Sequence, residues 1–309
     1  MMRLASRRRI DVRLSVFEIN RIEFYRQVVV GVAAAITIFT MPQNEPAVAS
    51  AVYVASDVHG HFDRFRDALR EKELIDQDDR WCAGDSQLWV LGDLFDRGDA
   101  GLETLRLLRR LGTEAEAAAG TVEVLLGNHE MLLLGSHRFG TDRFQDFDGN
   151  ERQFLQWWII NGGHETDAEE LNADEVEWLL HRPAMALVRD TLLVHSDTVS
   201  YAEWGSDVDE VNATVRAELD SDDPQRWWQL FRELTRRHEF EGEAGVERAS
   251  GILGIFGGRL IVHGHSTIPD TTGVEAEEVS EPRRYADGLV LNVDGGIYEG
   301  GPSLVVRLE

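Results

Sequence analysis

The sequence predicts an α/β protein in which two packed sheets are flanked by helices. Two observations predict it. A short apolar run leading into a polar, glycine-bounded loop occurs three times, with Asp57, Asp93 and Asn128 spaced 36 and 35 residues apart, about one strand-helix-strand unit. After those units and two helical stretches, strands dominate towards the carboxyl end. Ligands of open α/β sheets bind outside the carboxyl ends of strands, so the loops are where function is sought.

The first strand is read at residues 51–55 and runs into Ser56-Asp57-Val58-His59-Gly60. Phe62, Phe65 and Leu69 then line one face of a helix over residues 62–74. A second strand at 88–91 ends in Gly92-Asp93-Leu94-Phe95-Asp96-Arg97-Gly98, a loop with two carboxylates and a guanidinium. A carboxylate there can hold a metal, and an arginine can fork onto phosphate oxygens. Leucines at 102, 105, 108 and 111 form a helical packing stripe. The third strand, at 122–126, runs into Gly127-Asn128-His129-Glu130.

Residues 136–182 carry no strand signal but two helical patches, around 154–160 and 175–180, and read as a helical insertion. Its histidines, His137, His164 and His181, lack a motif context and read as structural or exposed. Strands resume at 191–194 and lead into His195-Ser196-Asp197. An acidic, tryptophan-bearing helical stretch spans about 207–256. A strand at 259–262 opens into His263-Gly264-His265-Ser266, and strands at 289–293 and 303–308 follow.

At 309 residues the chain can bury one sizeable core. Its net charge of −25 would repel phosphate backbones, so no nucleic-acid partner is expected. The single Cys82 excludes an intramolecular disulfide, and no histidine motif surrounds it to make it a nucleophile. One folded domain is expected over residues 50–309, with no membrane span. Residues 1–49 read as a leader, with seven arginines in the first 26 residues and an uncharged run of 14 residues from Val28 to Met41. That run is short of the roughly 20 residues a spanning helix needs. A signal-like segment cleaved near Ala47-Val48-Ala49, an anchor, and a true start at Met41 are the competing readings. A cytoplasmic location is the first expectation, and export or tethering through residues 1–49 is the alternative.

Collected at the strand ends are Asp57, His59, Asp93, Asn128, His195, and His263 or His265. The set is too large for one tetrahedral metal and suits two metals sharing a carboxylate, with Asp93 in the middle loop as the bridge. Mixed nitrogen and oxygen donors favour Mn²⁺, Fe or Zn²⁺ over Ca²⁺ or Mg²⁺. Two such ions about 3.5–4 Å apart can hold a hydroxide and clamp a phosphoryl group for in-line attack.

The four blocks Asp57-Val58-His59-Gly60, Gly92 to Gly98, Gly127-Asn128-His129-Glu130 and Gly264-His265 resemble the phosphoprotein phosphatase family of calcineurin-like metallophosphoesterases. The likeness covers residues 50–309 and is nearest to the bacterial Shewanella-like branch, which Leu74-Ile75-Asp76, Trp81 and the stretch from Gly135 to Arg138 also resemble. It implies a four-layer α/β/β/α sandwich of two mixed sheets, the metallo-dependent phosphatase fold, with helical insertions. It implies two divalent ions, Mn²⁺ first and Fe or Zn²⁺ next. Asp57, His59 and Asp93 would bind the first; Asp93, Asn128, His195 and His265 the second.

By the same resemblance His129 is the general acid, Asp96 orients it, and Arg97 grips phosphate. A second phosphate-binding arginine is expected, for which Arg236 or Arg237 is the candidate, with Arg226 behind them. His263 precedes the position that the family uses, and reads as a residue behind the ligands or a packing residue rather than a ligand. Ser56 replaces a usual glycine, and Ser196-Asp197 replaces usual small residues, without removing a ligand. The implied activity is hydrolysis of phosphate monoesters, foremost by a protein phosphatase acting on phosphoserine, phosphothreonine or phosphotyrosine. The partner is then a phosphorylated protein or a small phosphoester. A dinucleoside polyphosphate hydrolase, of the diadenosine tetraphosphate type, and an inactive phosphate-binding scaffold are the alternatives.

Overall fold

The computed structural model describes residues 50–309, so the reading of residues 1–49 as a leader lies outside it. The chain opens with β1 (Val52–Ala55), α1 (Phe62–Glu71), β2 (Gln87–Val90), α2 (Gly101–Ala117), β3 (Thr121–Val124) and α3 (Asn128–Phe139). A short hairpin follows, β4 (Phe144–Gln145) and β5 (Glu151–Arg152), with helices α4 (Phe154–Ile160), α5 (Glu165–Glu170) and α6 (Ala173–Leu180). Next come β6 (Met185–Val188), β7 (Thr191–Val194), α7 (Val208–Leu219), α8 (Pro224–Leu234) and α9 (Gly245–Phe256). The last elements are β8 (Leu260–His263), α10 (Ile268–Thr272), β9 (Arg283–Tyr285), β10 (Val290–Asn292) and β11 (Val305–Leu308).

Both sheets are mixed. The first has the order β11-β1-β2-β3, parallel except for β11, and the second has the order β6-β7-β8-β10-β9, with antiparallel strands at both edges. Successive strand residues face opposite sides, which divides the core in two. Val52 and Val54 point between the sheets and meet Leu91, Leu125, Leu193, Val262 and Leu291. Leu88, Val90, Val122 and Val124 point the other way, into the cluster that contains the helices. Helix α2 lies on β3 through the stripe Leu102, Leu105, Leu108 and Leu111, all buried. On the far sheet α7 lies on β6 and α9 on β8, so the layers run helix, sheet, sheet, helix.

Three departures from the sequence reading have local causes. Strand β6 was absent from it because Met185–Val188 joins β7 through the two residues Arg189 and Asp190, with no glycine or proline to mark a hairpin. Strand β9 carries two arginines in three residues and pairs on one side only, so it lacks the apolar pattern of a central strand. The insertion also holds the hairpin β4–β5, whose two-residue strands are too short to show a period of two. Among the described residues no helix is long and apolar enough to cross a membrane.

Candidate functional site

The loops leaving β1, β2, β3, β7, β8 and β10 meet in one place. Their backbone is strained there. Asp57, His59, Asp93, Asp96, Arg97 and His265 all have φ between 26° and 71°, a region costly for any residue with a Cβ. Gly92, at φ 101°, is where only glycine serves, since a Cβ would stand 2.6 Å from the Gly127 amide nitrogen. Gly264 is required for another reason: a Cβ there would collide with Ser56 Oγ and Asp57 Oδ1.

Glu130, at the third position of α3, holds two of these loops together. Its carboxylate accepts the amides of Asp93, Leu94 and Gly127 at 2.8, 2.7 and 2.9 Å. Burial, and then the charge of Asp93, push its carboxyl up to about 8. The sequence reading gave Glu130 no role. The available signal was a glutamate three residues into a helix that follows a strand-end glycine.

On the floor of the site the donor atoms face one another without protons between them. His59 donates Nδ1–H to the Phe95 carbonyl (3.0 Å), because a carbonyl can only accept. Its bare Nε2 lies 3.9 Å from Asp57 Oδ2 and 3.8 Å from Asp93 Oδ2. Burial lowers the His59 pKa well below its usual value, so the second nitrogen stays free. His195 repeats the arrangement. Its Nδ1 donates to the Leu91 carbonyl at 2.8 Å, and Nε2 faces Asn128 Oδ1 at 3.0 Å and Asp93 Oδ1 at 3.4 Å. Asp57 accepts the His265 amide at 3.0 and 3.1 Å.

Two groups of buried ligand atoms result, His59–Asp93–His129 and Asp93–His195–His265, and Asp93 belongs to both. Converging lone pairs on buried oxygens and nitrogens repel unless a cation lies among them. This donor set therefore fits two divalent ions. Asn128 and Asp57 lie at their edge, through the contacts given above.

Protons and positive charge stand on the rim. Arg97 Nη1 is 3.0 Å from His59 Nε2, and Nη2 is 3.4 Å from His129 Nε2. Its guanidinium lies on the Tyr298 ring, 3.7 Å from the centroid, while the residue remains exposed. His129 Nδ1 meets Asp96 Oδ2 at 2.6 Å, and Asp96 Oδ1 accepts the Trp158 indole N–H at 2.8 Å. Burial drives Asp96 up to about 7. Burial also lowers His129 to about 4, against the pull of Asp93 and with the help of Arg97. Both shifts disfavour a fully ionised pair, so His129 and Asp96 hold one proton between them.

The remaining candidates separate cleanly. Arg237 Nη2 reaches His265 Nε2 at 3.1 Å, while Arg236 turns to Ser200 (2.7 Å) and Glu233 (3.4 Å). Arg226 pairs with Glu218, away from these loops. Asp197 secures the Arg237 loop by accepting the Ser266 hydroxyl and the His238 amide at 2.5 and 2.7 Å. Buried His263 uses its two ring nitrogens on the Gly264 carbonyl and the Tyr285 hydroxyl, both at 2.8 Å. His137 and His181 are exposed, and His164 lies half-buried, 3.4 Å from the Arg97 carbonyl.

Trp158, Tyr298 and Asp294 were missed in the sequence. Asp294 is 2 % exposed, and burial followed by the nearby Asp57 charge raises its carboxyl well above the usual range. Its signal was a strand, Val290–Asn292, leading through Val293 into an aspartate and two glycines, much as in the other loops.

Residues 50–269 match the calcineurin-like phosphoesterase family, and the chain belongs to it. Among solved structures it is similar to a cold-active protein-tyrosine phosphatase of a psychrophilic Shewanella species, with TM-score 0.63, 25% identity, and coverage of 84% of this chain and 75% of that one. Shewanella-like protein phosphatase 2 of Arabidopsis thaliana is 38% identical over 88 residues, which span 28% of this chain and 22% of that protein. A symmetrical bis(5'-nucleosyl)-tetraphosphatase of Vibrio parahaemolyticus is 32% identical over 146 residues, 47% of this chain and 44% of the relative. The matched stretches thus span less than half the length of these two curated relatives.

Proposed function

We propose that the chain hydrolyses phosphate monoesters at a pair of divalent ions and acts as a protein phosphatase on phosphoserine, phosphothreonine or phosphotyrosine. The observation that carries this reading is the sharing of Asp93 by two groups of buried ligand atoms, with the exposed face of Arg97 above them. Asp57, His59 and Asp93 would hold the first ion, and Asp93, Asn128, His195 and His265 the second. Mixed nitrogen and oxygen donors suit Mn²⁺, Fe or Zn²⁺. Bound there, the pair supplies a nucleophile at neutral pH and draws charge from the phosphoryl oxygens.

The chain's own residues supply the rest. Arg97 presents a planar fork to two phosphate oxygens, and the ring of Tyr298 keeps that fork flat against the pocket wall. Arg237, on the loop after α8, adds a second cation beside His265. His129 would give its Nε2–H proton to the departing alkoxide while the proton it shares with Asp96 passes to Nδ1, and Trp158 holds Asp96 in line.

A dinucleoside polyphosphate hydrolase is the second reading, favoured by the match to the Vibrio relative. The buried His129–Asp96 pair argues for the first, because an alkoxide needs a proton on departure far more than a polyphosphate does. The deciding experiment compares hydrolysis of a phosphopeptide and of diadenosine tetraphosphate by the full chain, stripped by chelation and reloaded with Mn²⁺. A ratio well above one supports the protein phosphatase. The reverse ratio supports the nucleotide hydrolase, and inertness with Mn²⁺, Fe and Zn²⁺ in turn would leave the scaffold reading standing.

A further inference from the structure

Asp294 follows β10 of the second sheet, on the turn that also carries Tyr298 to Arg97. Its Oδ1 accepts the Gly296 amide at 2.9 Å, and its own amide donates to Asn292 Oδ1 at 2.9 Å. Those contacts shape the turn, and an asparagine would make them equally well. The second oxygen, Oδ2, is buried and has no hydrogen-bond partner. A carboxylate oxygen sealed from water without a donor is costly. The turn therefore accounts for one oxygen and leaves the charge and the other oxygen unexplained.

The Asp294 carbonyl accepts the Ile268 amide at 2.9 Å, next to the His265 loop, and Tyr298 on the same turn sets its ring edge-on to His59 with centroids 5.2 Å apart. The turn therefore stands at the floor of the site, where burial and then the charges of Asp57 and Asp93 raise the Asp294 carboxyl. Asp57 and Asp93 are carboxylates on the floor of the site, and Arg97 directs its contacts to His59, His129 and the Tyr298 ring, with none to a carboxylate. Three acidic side chains, each at most 3 % exposed, thus converge with no hydrogen bond from Arg97 to any of them. Hydrogen bonding within the protein does not balance that charge, whereas a cation beside Asp57 would.

We propose that Asp294 is a metal-site residue, whose free Oδ2 serves as a further carboxylate for the ion that Asp57 and His59 would hold. The inference rests on the two-metal reading above and extends its donor set to a sixth loop. It also gives a reason for burying a charge where the turn needs none. Either Oδ2 binds the ion itself or it accepts from water in the ion's shell, and in both cases the ion's affinity depends on it.

The test is a calorimetric titration of the chelated full chain with Mn²⁺ alone, in wild type, Asp294→Asn and Asp57→Asn. Asp294→Asn keeps the Gly296 contact and removes the charge. One of two sites should weaken about 10–100-fold. The metal-free variant should melt no lower than wild type, since it has lost one of three crowded like charges. Asp57→Asn should weaken the same site. Two ions bound by Asp294→Asn with wild-type affinity would overturn the proposal. If Asp57→Asn also bound both ions normally, the two-metal reading itself would be at fault. A steep drop in the metal-free melting temperature of both Asp294→Asn and Asp294→Ser would assign Oδ2 a structural role and overturn the proposal as well.

Discussion

Three histidines of the site differ in what their far nitrogens meet. On the floor, His59 and His195 give their Nδ1 protons to the carbonyls of Phe95 and Leu91, at 3.0 and 2.8 Å. On the rim, His129 turns the same nitrogen to the Asp96 carboxylate, at 2.6 Å. A carbonyl can only accept, so it fixes the tautomer and leaves a bare nitrogen facing inward, as a metal ligand requires. A carboxylate can take the proton and return it, so the ring beside it remains an acid or base. On the proposed reading one residue type thus serves two tasks, and the partner behind the ring assigns the task.

The largest effect should come from breaking the floor. Asp93→Asn removes the charge common to both groups of ligand atoms and should cost about 10⁴-fold in rate, or roughly 5 kcal/mol of barrier. The loss should be alike on alkyl and aryl phosphates, and metal analysis should find fewer ions bound. Retention of most of the activity would mean that the floor does not hold the metals.

Breaking the rim should look different. His129→Ala should keep its metals and lose about 10³-fold on an alkyl phosphate, within the usual range for a general acid. On p-nitrophenyl phosphate, whose leaving group departs without a proton, the loss should shrink. Equal losses on both substrates, with metal content unchanged, would show that His129 is not the acid. Since His129 also belongs to one group of ligand atoms, loss of an ion in this variant would move it to the floor.

Asp96→Asn should follow His129→Ala in milder form, by about 10-fold, because in the proposed reading it only orients the imidazole. The same variant should reveal the proton shared on the rim through stability. Asp96 and Glu130 are raised by burial to about 7 and about 8, so the folded chain holds protons that the unfolded chain releases near pH 4. More protons bound in the folded state means that stability falls as pH rises through those values. Denaturant unfolding of the chelated protein should therefore give a free energy roughly 4 kcal/mol higher at pH 6 than at pH 8.5. Asp96→Asn should flatten the lower part of that slope, and an unchanged slope would remove Asp96 from the account.

The floor and the rim were legible to different degrees. Asp57, His59, Asp93, Asn128, Asp96, Arg97 and His129 each follow a short apolar strand within a few residues, so periodicity and glycine punctuation locate them. His195 and His265 stand at the ends of strands in the second sheet and were found by the same rule. These positions depend only on local chain direction, which the alternation of side chains along a strand already encodes.

Tertiary structure decided what touches what. The choice between Arg236 and Arg237, adjacent in sequence, turns on which guanidinium meets His265 and which meets Ser200, 36 residues away. Trp158 reaches Asp96 from the helical insertion across 62 positions, and no pattern within the insertion marks that indole out from its neighbours. Glu130 joins two loops because two parallel strands bring their amides together above it. Asp294 approaches Asp57 from the far sheet, and its unpartnered oxygen exists only once both sheets have packed. A local motif can encode the residue that a strand presents at its end. It cannot encode the distance between two loops, because that distance is set by the packing of side chains between and around the sheets.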